Sequence, residues 1–414
     1  MPTLPDHAQI IASSDVWMET AAIDQLSHVA NCPCCLRAVG MPDLHPGRGI
    51  PVGAAFAFDG EIRPTLVGGD AGCGVLVIGV PAPRRRGDAL VKRVDKLTQK
   101  PIFDDCDPLE LVKAVWDHGP RGLLEVDWVP EGLVELVETF TSETVSEEDD
   151  VPSGPMPQAI IDGAEVFARQ LGTVGGGNHF LEISAVTEIV SDRASQAGLV
   201  EKGGAIIAHS GSRGLGGIVG RAWAGQILSD AETQARYRGE LLGAVRYARA
   251  NRWALVWRAL DAMGNARPDR VGGWFDVVHN HVQPARYGDA PVWLHRKGAA
   301  PADAGTLTAV LGSRGAPTWV MEGAGQAESL CSVAHGAGRR MGRGEATAKL
   351  KQRFKRADLR RTALGGRVIC DNAELLYEEH PKAYKAIEPV VVSLEAAGAA
   401  TRVAALTPQI TVKR

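Results

Sequence analysis

The chain has 414 residues, of which 45% are hydrophobic and 23% charged, and this apolar share excludes a largely disordered or fibrous protein. Lys and Arg number 45 against 49 Asp and Glu, so the net charge of −4 does not attract polyanions, and nucleic-acid binding would need a local basic patch. No apolar run approaches the roughly 18 to 20 residues of a membrane span, the first residues lack a secretory-signal pattern, and the seven scattered cysteines do not resemble a disulfide framework. We therefore expect a cytoplasmic protein with no membrane partner.

The first third of the chain predicts buried strands followed by helices. Val- and Ile-rich runs bounded by glycine or proline at 48–58 and 65–80 are typical of buried strands. Between 84 and 140 the apolar spacing becomes helical, as in ALVKRVDKLTQ and EGLVELVETF. The acidic stretch 141–157, which also contains Ser and Pro, predicts a surface loop.

The rest of the chain returns to strand-like runs and adds a long helical stretch. Runs at 171–183 and 205–217 predict strands, and residues 219–264 have helical spacing with few breakers. The chain closes on a predicted strand at 404–414. No internal repeat or linker separates these parts. The pattern favours one large α+β domain over residues 1–414, with 219–264 as a helical insertion.

The polar residues that suggest chemistry lie in glycine-rich loops beside these apolar runs. They are Asp70 and Cys73 in GGDAGCG, Asn178 and His179 in GGGNHF, His209 in IAHSGSRG, and His279 with Asn280 in VVHNH. Any single histidine of this kind is most simply a core residue satisfied by one hydrogen bond. The joint pattern favours a metal site, because a thiolate suits zinc or bridges two ions while Asp and His suit manganese, iron or zinc.

A further loop, SVAHGAGRRMGRG (332–344), places His335 ahead of Arg339, Arg340 and Arg343. Such a loop before a helix, with guanidinium groups nearby, suits phosphate. A neutral imidazole here could attack phosphorus and form a phosphoramidate. It could equally do no more than donate a hydrogen bond to the phosphate.

These motifs resemble the RtcB family of RNA-splicing ligases, which join RNA ends using GTP and manganese. The matching segments run in the family order across nearly the whole chain: MPDLHPGRGIPVG (41–53), DAGCG (70–74), LGTVGGGNHFLEI (171–183), HSGSRGLG (209–216), HN (279–280), RKGA (296–299), GSRG (312–315), HGAGR (335–339), HPKAYK (380–385) and VKR (412–414). The resemblance implies an α+β domain with mixed β-sheets around a central metal cleft.

The resemblance also implies a role for each candidate residue. Asp70, Cys73 and His179 would bind one manganese ion, and Cys73, His209 and His279 a second, with the thiolate bridging. His335 would be the histidine that becomes guanylylated, and Arg343 would face the RNA end. The positions that would contact the nucleotide are Asn178, Glu182, Asn280, Ser313, Gly336, Arg339 and Lys413, with Tyr384 stacked on the guanine.

Two stretches depart from the family pattern. Residues 311–319 read LGSRGAPTW, with Arg314 and Thr318 where we expect a methionine-like residue and a serine. Both residues remain predicted nucleotide contacts. The acidic stretch 141–150 does not match the archaeal members. These departures indicate a divergent bacterial branch, with RNA repair as an alternative to tRNA splicing.

The implied reaction joins an RNA 3′-phosphate or 2′,3′-cyclic phosphate end to a 5′-hydroxyl end, through a guanylyl-histidine and a GMP-activated RNA 3′ end. GTP and two Mn²⁺ ions are the implied cofactors and RNA is the implied partner, while the need for an activator protein stays open. Two other functions also stay open at this point. One is a metal-dependent phosphoesterase acting on RNA ends, and the other is a non-catalytic protein that binds RNA ends or nucleotides.

Overall fold

The computed structural model describes residues 4–83, 87–141 and 151–414. This part of the chain contains fifteen strands: β1 (Ala8–Ile10), β2 (Cys35–His45), β3 (Val52–Phe58), β4 (Gly74–Val80), β5 (Phe180–Ile189), β6 (Gly204–Ser210), β7 (Gly273–Val278), β8 (Asn280–Tyr287), β9 (Ala290–Lys297), β10 (Ala299–Pro301), β11 (Leu307–Val310), β12 (Thr318–Gly323), β13 (Ser332–Ala334), β14 (Arg367–Cys370) and β15 (Ala400–Lys413). It also contains eleven α-helices: α1 (Thr20–Ala30), α2 (Gly87–Gln99), α3 (Pro108–His118), α4 (Glu131–Thr141), α5 (Gln158–Asp162), α6 (Ala164–Gln170), α7 (Arg213–Ala222), α8 (Ala231–Met263), α9 (Arg343–Lys351), α10 (Ala373–Glu378) and α11 (Ile387–Ala396). The predicted α+β fold in a single domain is confirmed.

An eight-stranded sheet occupies the middle of the domain. Its strands follow the order β11-β12-β15-β5-β6-β4-β7, and β14 pairs with β15 beside this path. The β14–β15 pair is parallel, whereas the others in this sheet are antiparallel. A five-stranded sheet has the order β1-β2-β3-β9-β8, with β1 parallel to β2, and β10 pairs with β13 alone. The prediction of mixed sheets is therefore also confirmed.

The central strands of the eight-stranded sheet are buried on both faces. In β4, Leu76 and Ile78 pack into a core shared with α8, whereas Val75 and Val77 pack into a second core. This second core also contains Ala309 from the far end of the same sheet, and the edge strands β11 and β7 contact each other. The sheet thus curls onto itself and carries helices on its outer face. Burial on both faces explains why residues 74–80 form a continuous apolar run instead of an alternating one.

Helix α8 lies across the eight-stranded sheet and contacts β4, β5 and β6. Asp230 caps its first turn by accepting a hydrogen bond from the backbone N–H of Thr233. Gly264 ends it in the left-handed conformation, with φ of 77°. Helices α2, α3 and α4 pack around α8. None of the helices within the described ranges combines the length and the apolar character needed to cross a membrane.

The strand predictions hold in part. Strands β3 and β15 lie where runs 48–58 and 404–414 predict them. In run 65–80 the strand begins only at Gly74, because Gly68 and Gly72 adopt positive φ and turn the preceding residues into a loop. In run 171–183 it begins only at Phe180. The prediction of a strand over 205–217 is wrong after Ser210, because α7 begins at Arg213.

The structure has helices in both regions for which helices are predicted. Helices α2 and α3 lie within the predicted range 84–140, and α4 runs one residue beyond it to Thr141, although residues 84–86 fall outside the described ranges. The segment 219–264 contains the end of α7 and all of α8. Of the predicted surface loop 141–157, residues 142–150 lie outside the described residues, and 151–157 have no regular secondary structure.

A buried arginine in the middle of α8 ties two glycine-rich loops to the sheet. Arg252 Nε and Nη2 donate to the two carboxylate oxygens of Asp276 on β7, at 2.7 and 2.8 Å. Arg252 Nη1 donates to the backbone carbonyls of Gly72 and Ser210, each at 2.9 Å. These carbonyls lie next to Cys73 and His209. The arginine therefore fixes the loops that carry two of the predicted metal ligands.

The neighbouring Asn251 extends the same arrangement to a third loop. Its Oδ1 accepts from the backbone N–H groups of Gly172 and Thr173, at 2.7 and 3.1 Å. Its Nδ2 donates to Ser210 Oγ at 2.9 Å. Arg252 and Asn251, which are neighbours in α8, thus hold the loop that precedes His179 and the loop that follows His209.

We expect Arg252→Met to lower the free energy of unfolding by about 3–5 kcal/mol. Among the described residues, the change leaves the buried Asp276 carboxylate with a longer contact to Arg249, at 3.6 Å, and it removes the donor to two carbonyls. Arg169→Met is the matched control, because its ion pair with Glu165 is about 70% exposed and should contribute under about 1 kcal/mol. Urea unfolding followed by circular dichroism measures both. Equal losses in the two variants would contradict the role given to Arg252.

Candidate active site

Adjacent antiparallel strands bring the predicted metal ligands to one edge of the eight-stranded sheet. Asp70 and Cys73 precede β4, His179 precedes β5, His209 lies near the end of β6, and His279 follows β7. Strands β5, β6, β4 and β7 are neighbours, so the starts of β5 and β4 lie beside the ends of β6 and β7. The five side chains therefore converge.

These side chains form two groups that share Cys73. Its Sγ lies 3.3 Å from His179 Nε2 and 3.4 Å from His209 Nε2. His179 Nε2 is also 3.0 Å from Asp70 Oδ2, and His209 Nε2 is 3.3 Å from His279 Nε2. Within each group the potential ligand atoms lie no more than 4.8 Å apart. Each group can hold one metal ion, with the sulfur common to both.

The charge states of these groups suit a transition metal. Burial lowers the pKa of His209 and of His279 well below the usual value, so both imidazoles are neutral and can offer a lone pair. Burial opposes ionisation of Asp70, yet His179 beside it holds the pKa of this carboxyl below its usual range. Burial raises the pKa of the Cys73 thiol, so a bound cation would be needed to produce the thiolate. This set of donors fits Mn²⁺ or Zn²⁺.

His335 follows β13 and lies beside the second metal group. Its ring centroid is 4.8 Å from that of His279, and its Nδ1 is 2.7 Å from Oδ2 of Asp43, a fully buried carboxylate on β2. A side chain at Gly298 would place its Cβ 3.0 Å from Cε1 of the ring, so glycine is needed there. Sequence analysis assigned no role to Asp43, although the residue lies in the matching segment 41–53.

Four of the five predicted metal ligands line one cavity together with His335, whereas His179 is not among its lining residues. Asp70, Cys73, His209, His279 and His335 contribute to its wall. Ten of the other predicted site residues line it as well: Asn178, Glu182, Asn280, Ser313, Arg314, Gly336, Arg339, Arg343, Tyr384 and Lys413.

Thr318 is not among the lining residues. It is buried at the start of β12, where its Oγ1 accepts a hydrogen bond from the backbone N–H of Gly312 at 3.3 Å. The residue therefore shapes the 311–318 loop from outside the cavity.

Asn280 and Arg314, which line the cavity, already have partners within the protein. Asn280 donates to the Asp70 carbonyl at 3.0 Å and accepts from the Gly298 N–H at 2.8 Å. Arg314 Nη2 donates to the Leu376 carbonyl at 2.8 Å. Both side chains hold neighbouring loops in place.

Glu182 lies in β5 with its carboxyl group buried. Its Oε1 accepts from Ser184 Oγ at 3.0 Å, and its Oε2 accepts from Thr411 Oγ1 at 2.7 Å. Burial raises the pKa of Glu182 to about 7. Each carboxylate oxygen can accept more than one hydrogen bond, so the group can still receive donors from a ligand.

A second buried carboxylate, Glu379, joins three of the predicted nucleotide contacts and was missed by the sequence analysis. It accepts from Arg339 Nη1 at 2.9 Å, from the Tyr384 hydroxyl at 2.6 Å and from Lys413 Nζ at 3.1 Å. Burial opposes its ionisation, but Lys413 and Arg339 hold the pKa of Glu379 below its usual value. The Arg339 guanidinium also lies 5.0 Å from the centre of the Tyr384 ring. Lys413 Nζ donates further to the His179 carbonyl at 3.1 Å, which connects this cluster to the metal groups.

Comparisons with known proteins agree on one family. A family model described as "tRNA-splicing ligase RtcB" matches residues 25–414. The chain is 36% identical over 418 aligned residues to the RNA-splicing ligase RtcB2 of an Escherichia coli strain, covering 99% of this chain and 96% of that one. It is 29% identical to the tRNA-splicing ligase RtcB of Archaeoglobus fulgidus, covering 94% and 90%. It is 27% identical to the RNA-splicing ligase RtcB of Escherichia coli K12, covering 91% of each.

Because Cys73 belongs to both metal groups, Cys73→Ala should weaken both sites together. After dialysis against Mn²⁺, elemental analysis measures the number of manganese ions bound per chain. We expect this number to fall toward zero in Cys73→Ala and by about one in His279→Ala. Cys106→Ala is the control, since it removes a buried thiol that lies outside both groups. The thiolate-to-metal absorption of the Co²⁺-loaded protein gives a second readout. Two ions retained by Cys73→Ala would rule out the shared sulfur.

The pKa of Glu182 predicts a pH-dependent change in stability. Folding raises the pKa of this carboxyl from an ordinary value of 4.5 to about 7, so its ionisation opposes folding. This cost is absent below pH 4.5, grows up to about pH 7 and is constant above it. Glu182→Gln is neutral at every pH, so its stability relative to the unmodified protein should rise by up to about 3 kcal/mol between pH 4.5 and 8. Thermal unfolding measures this difference, with the exposed Glu188→Gln on the same strand as control. A difference that stays flat across this pH range would show that Glu182 ionises freely.

Proposed function

The chain belongs to the RtcB family, and we propose that it is an RNA ligase that uses GTP and two manganese ions. In this proposal it joins RNA ends that carry a 3′-phosphate or a 2′,3′-cyclic phosphate to ends that carry a 5′-hydroxyl. RNA repair or tRNA splicing would be its biological role. Membership of the family supports RNA ligation, and the geometry of the cavity supports the chemistry described next.

The observation that carries the proposal is the position of His335. Its imidazole lies in the same cavity as both metal groups, beside His279, with a buried carboxylate 2.7 Å from Nδ1. Asp43 favours the tautomer with the proton on Nδ1, so the lone pair of Nε2 is free to attack.

The first step is attack on GTP. Asp70, Cys73, His179, His209 and His279 would hold the two cations, which when bound would neutralise phosphate charge that otherwise repels a nucleophile. His335 Nε2 attacks the α-phosphorus, so that a phosphorus–nitrogen bond forms and the bond to pyrophosphate breaks.

The next steps transfer the nucleotide and join the strands. An oxygen of the RNA 3′-phosphate attacks the same phosphorus, which breaks the phosphorus–nitrogen bond and regenerates the imidazole. The 5′-hydroxyl oxygen of the second strand then attacks the RNA phosphorus and loses its proton, and GMP leaves. A 2′,3′-cyclic phosphate enters this sequence after water has opened it to the 3′-phosphate.

The buried carboxylate of Glu182 supports selection of guanine. Guanine presents N1–H and N2–H₂ as neighbouring donors, whereas adenine presents an acceptor at N1. An ionised Glu182 has only acceptors, so it would receive both guanine donors and repel adenine. Burial of this carboxyl strengthens the distinction, because a buried charge without a donor is costly. Lys413 and Tyr384 line the cavity with it and would complete the base site.

Labelling with GTP tests the nucleophile. Incubation with Mn²⁺ and α-phosphate-labelled GTP should give a protein adduct that is labile to acid and resistant to hydroxylamine. His335→Ala should abolish the adduct, and Asp43→Asn should slow its formation about 10²- to 10⁴-fold because the tautomer is no longer fixed. His118→Ala, which removes an exposed histidine, is the control.

The outcomes separate the candidate functions. Label retained by His335→Ala would mean that another residue is the nucleophile. Hydrolysis of RNA phosphate ends without any adduct would favour the metal-dependent phosphoesterase. Binding of RNA ends or GTP with neither reaction would favour the non-catalytic protein.

A further inference from the structure

The segment 340–361 carries a concentration of positive charge in a chain whose net charge is −4. Its nine cationic residues are all exposed: Arg340, Arg343, Lys349, Lys351, Arg353, Lys355, Arg356, Arg360 and Arg361. Glu345 and Asp358 are its two acidic residues. We call residues 340–361 the basic segment.

The basic segment has a fixed shape. It contains α9 and a 3₁₀ turn at Asp358–Arg360. Ala346, Leu350 and Leu359 are buried and pack into a small core shared with Tyr377 of α10. The apolar positions therefore face inward and the cationic side chains lie outside. The charges are held on an ordered surface.

Most of this charge is not neutralised by the protein. Lys349 pairs with Glu345 at 2.6 Å, and Lys351 contacts Glu374 at 3.4 Å. Arg356 donates to a backbone carbonyl, that of Asp371, at 3.1 Å. The other six cations form no ion pair with the described part of the chain: Arg340, Arg343, Arg353, Lys355, Arg360 and Arg361. Six unpaired cations repel one another, so an external anion would stabilise this surface.

The basic segment begins at the cavity. Arg343 is the first residue of α9, is exposed and also lines the cavity wall. Its guanidinium lies beside the loop that precedes His179. A Cβ added at Gly177 in this loop would be 3.1 Å from Arg343 Nη2. Tyr384, which lines the cavity, packs against the core of the segment. A polyanion with its end in the cavity can therefore continue directly onto this surface.

We propose that the basic segment binds the sugar–phosphate backbone of the RNA strand whose end enters the cavity. This inference rests on the proposed function and adds where the strand lies. Helix α9 rises about 12 Å, at about 1.5 Å per residue, enough to follow several phosphates. Guanidinium groups bind phosphate in two-pronged geometry without reading the bases.

An acidic protein is the less favoured occupant. Protein interfaces centre on buried aromatic or aliphatic anchors surrounded by polar groups. Within 340–361 no large hydrophobic side chain is exposed, so the surface offers charge without an apolar anchor. This composition suits a nucleic-acid backbone.

RNA binding by a charge-removed variant tests the proposal. The triple variant Arg353→Gln, Lys355→Gln, Arg361→Gln removes three unpaired cations that do not line the cavity. The control, Lys113→Gln, Arg121→Gln, Lys202→Gln, removes three exposed cations on other elements and changes the net charge equally. Fluorescence anisotropy with labelled RNA of 12 nucleotides is measured across salt concentrations. One arm uses a strand with a 3′-phosphate and the other a strand with a 5′-hydroxyl.

In at least one arm we expect the first triple variant to bind RNA about 10-fold more weakly at low salt. The slope of log affinity against log salt should shrink by about 2, since each phosphate contact to a single strand contributes about 0.7. RNA of 3 nucleotides, which has few phosphates to place on the basic segment, should distinguish the two triple variants much less. The arm that responds identifies the strand on the basic segment.

The outcomes distinguish a failure of this proposal from a failure of the proposed ligase function. If the native protein forms the GTP adduct and ligates RNA while both triple variants bind RNA alike, the basic segment does not hold RNA and an acidic protein becomes its candidate partner. If the native protein forms no adduct but shows the predicted loss of RNA binding in the triple variant, the surface stands and the ligase mechanism fails. Adduct formation without RNA and thermal unfolding check that the variants are folded.

Discussion

The buried contact between Arg252 and Asp276 is the constraint on which the arrangement of the cavity depends. Burying two charges costs several kcal/mol unless geometry and further hydrogen bonds compensate, and here the guanidinium uses all three nitrogens. Two of its bonds go to the carbonyls of Gly72 and Ser210, beside metal ligands. The hydrogen bonds that compensate the buried Arg252 charge therefore also fix the loops that carry the predicted metal ligands. These loops are ordered by the fold, so metal binding need not supply the free energy to order them.

The cavity combines groups that favour cations with groups that favour N–H donors. Near the sheet edge, neutral imidazoles and an ionised Asp70 favour cations and, through them, phosphate. The same cavity contains Glu182 and Glu379, which are buried carboxylates that favour groups with N–H donors. The His335 ring packs against the ring of His279, a member of the second metal group, and both residues line the cavity. A ligand that carries both anionic groups and N–H donors would therefore find partners for both in this cavity when cations are bound.

Local sequence patterns predict the metal groups but not the residues that support them. A ligand-type residue beside glycine at the end of an apolar run is visible in a short window, and this pattern locates Asp70, Cys73 and the three histidines. Asp43 and Glu379 do not follow this pattern, and their importance comes from contacts with His335 and Lys413, which are distant in sequence. The same limit affects α7, since SRGLGG after a strand has no helical period. Burial of Glu182 follows from a sheet that is covered on both faces, which only tertiary structure reveals.

The bonds that close the cavity join residues far apart in the chain, and this has a consequence for folding. Thr411 reaches Glu182 across 229 positions, and Lys413 reaches the carbonyl of His179 across 234. Contacts of such separation carry a large loop-closure entropy and form late in folding. Until these contacts form, the part of the cavity around Glu182 and Lys413 is incomplete. The cavity thus depends on the folding of the whole domain and not on any single segment of the chain.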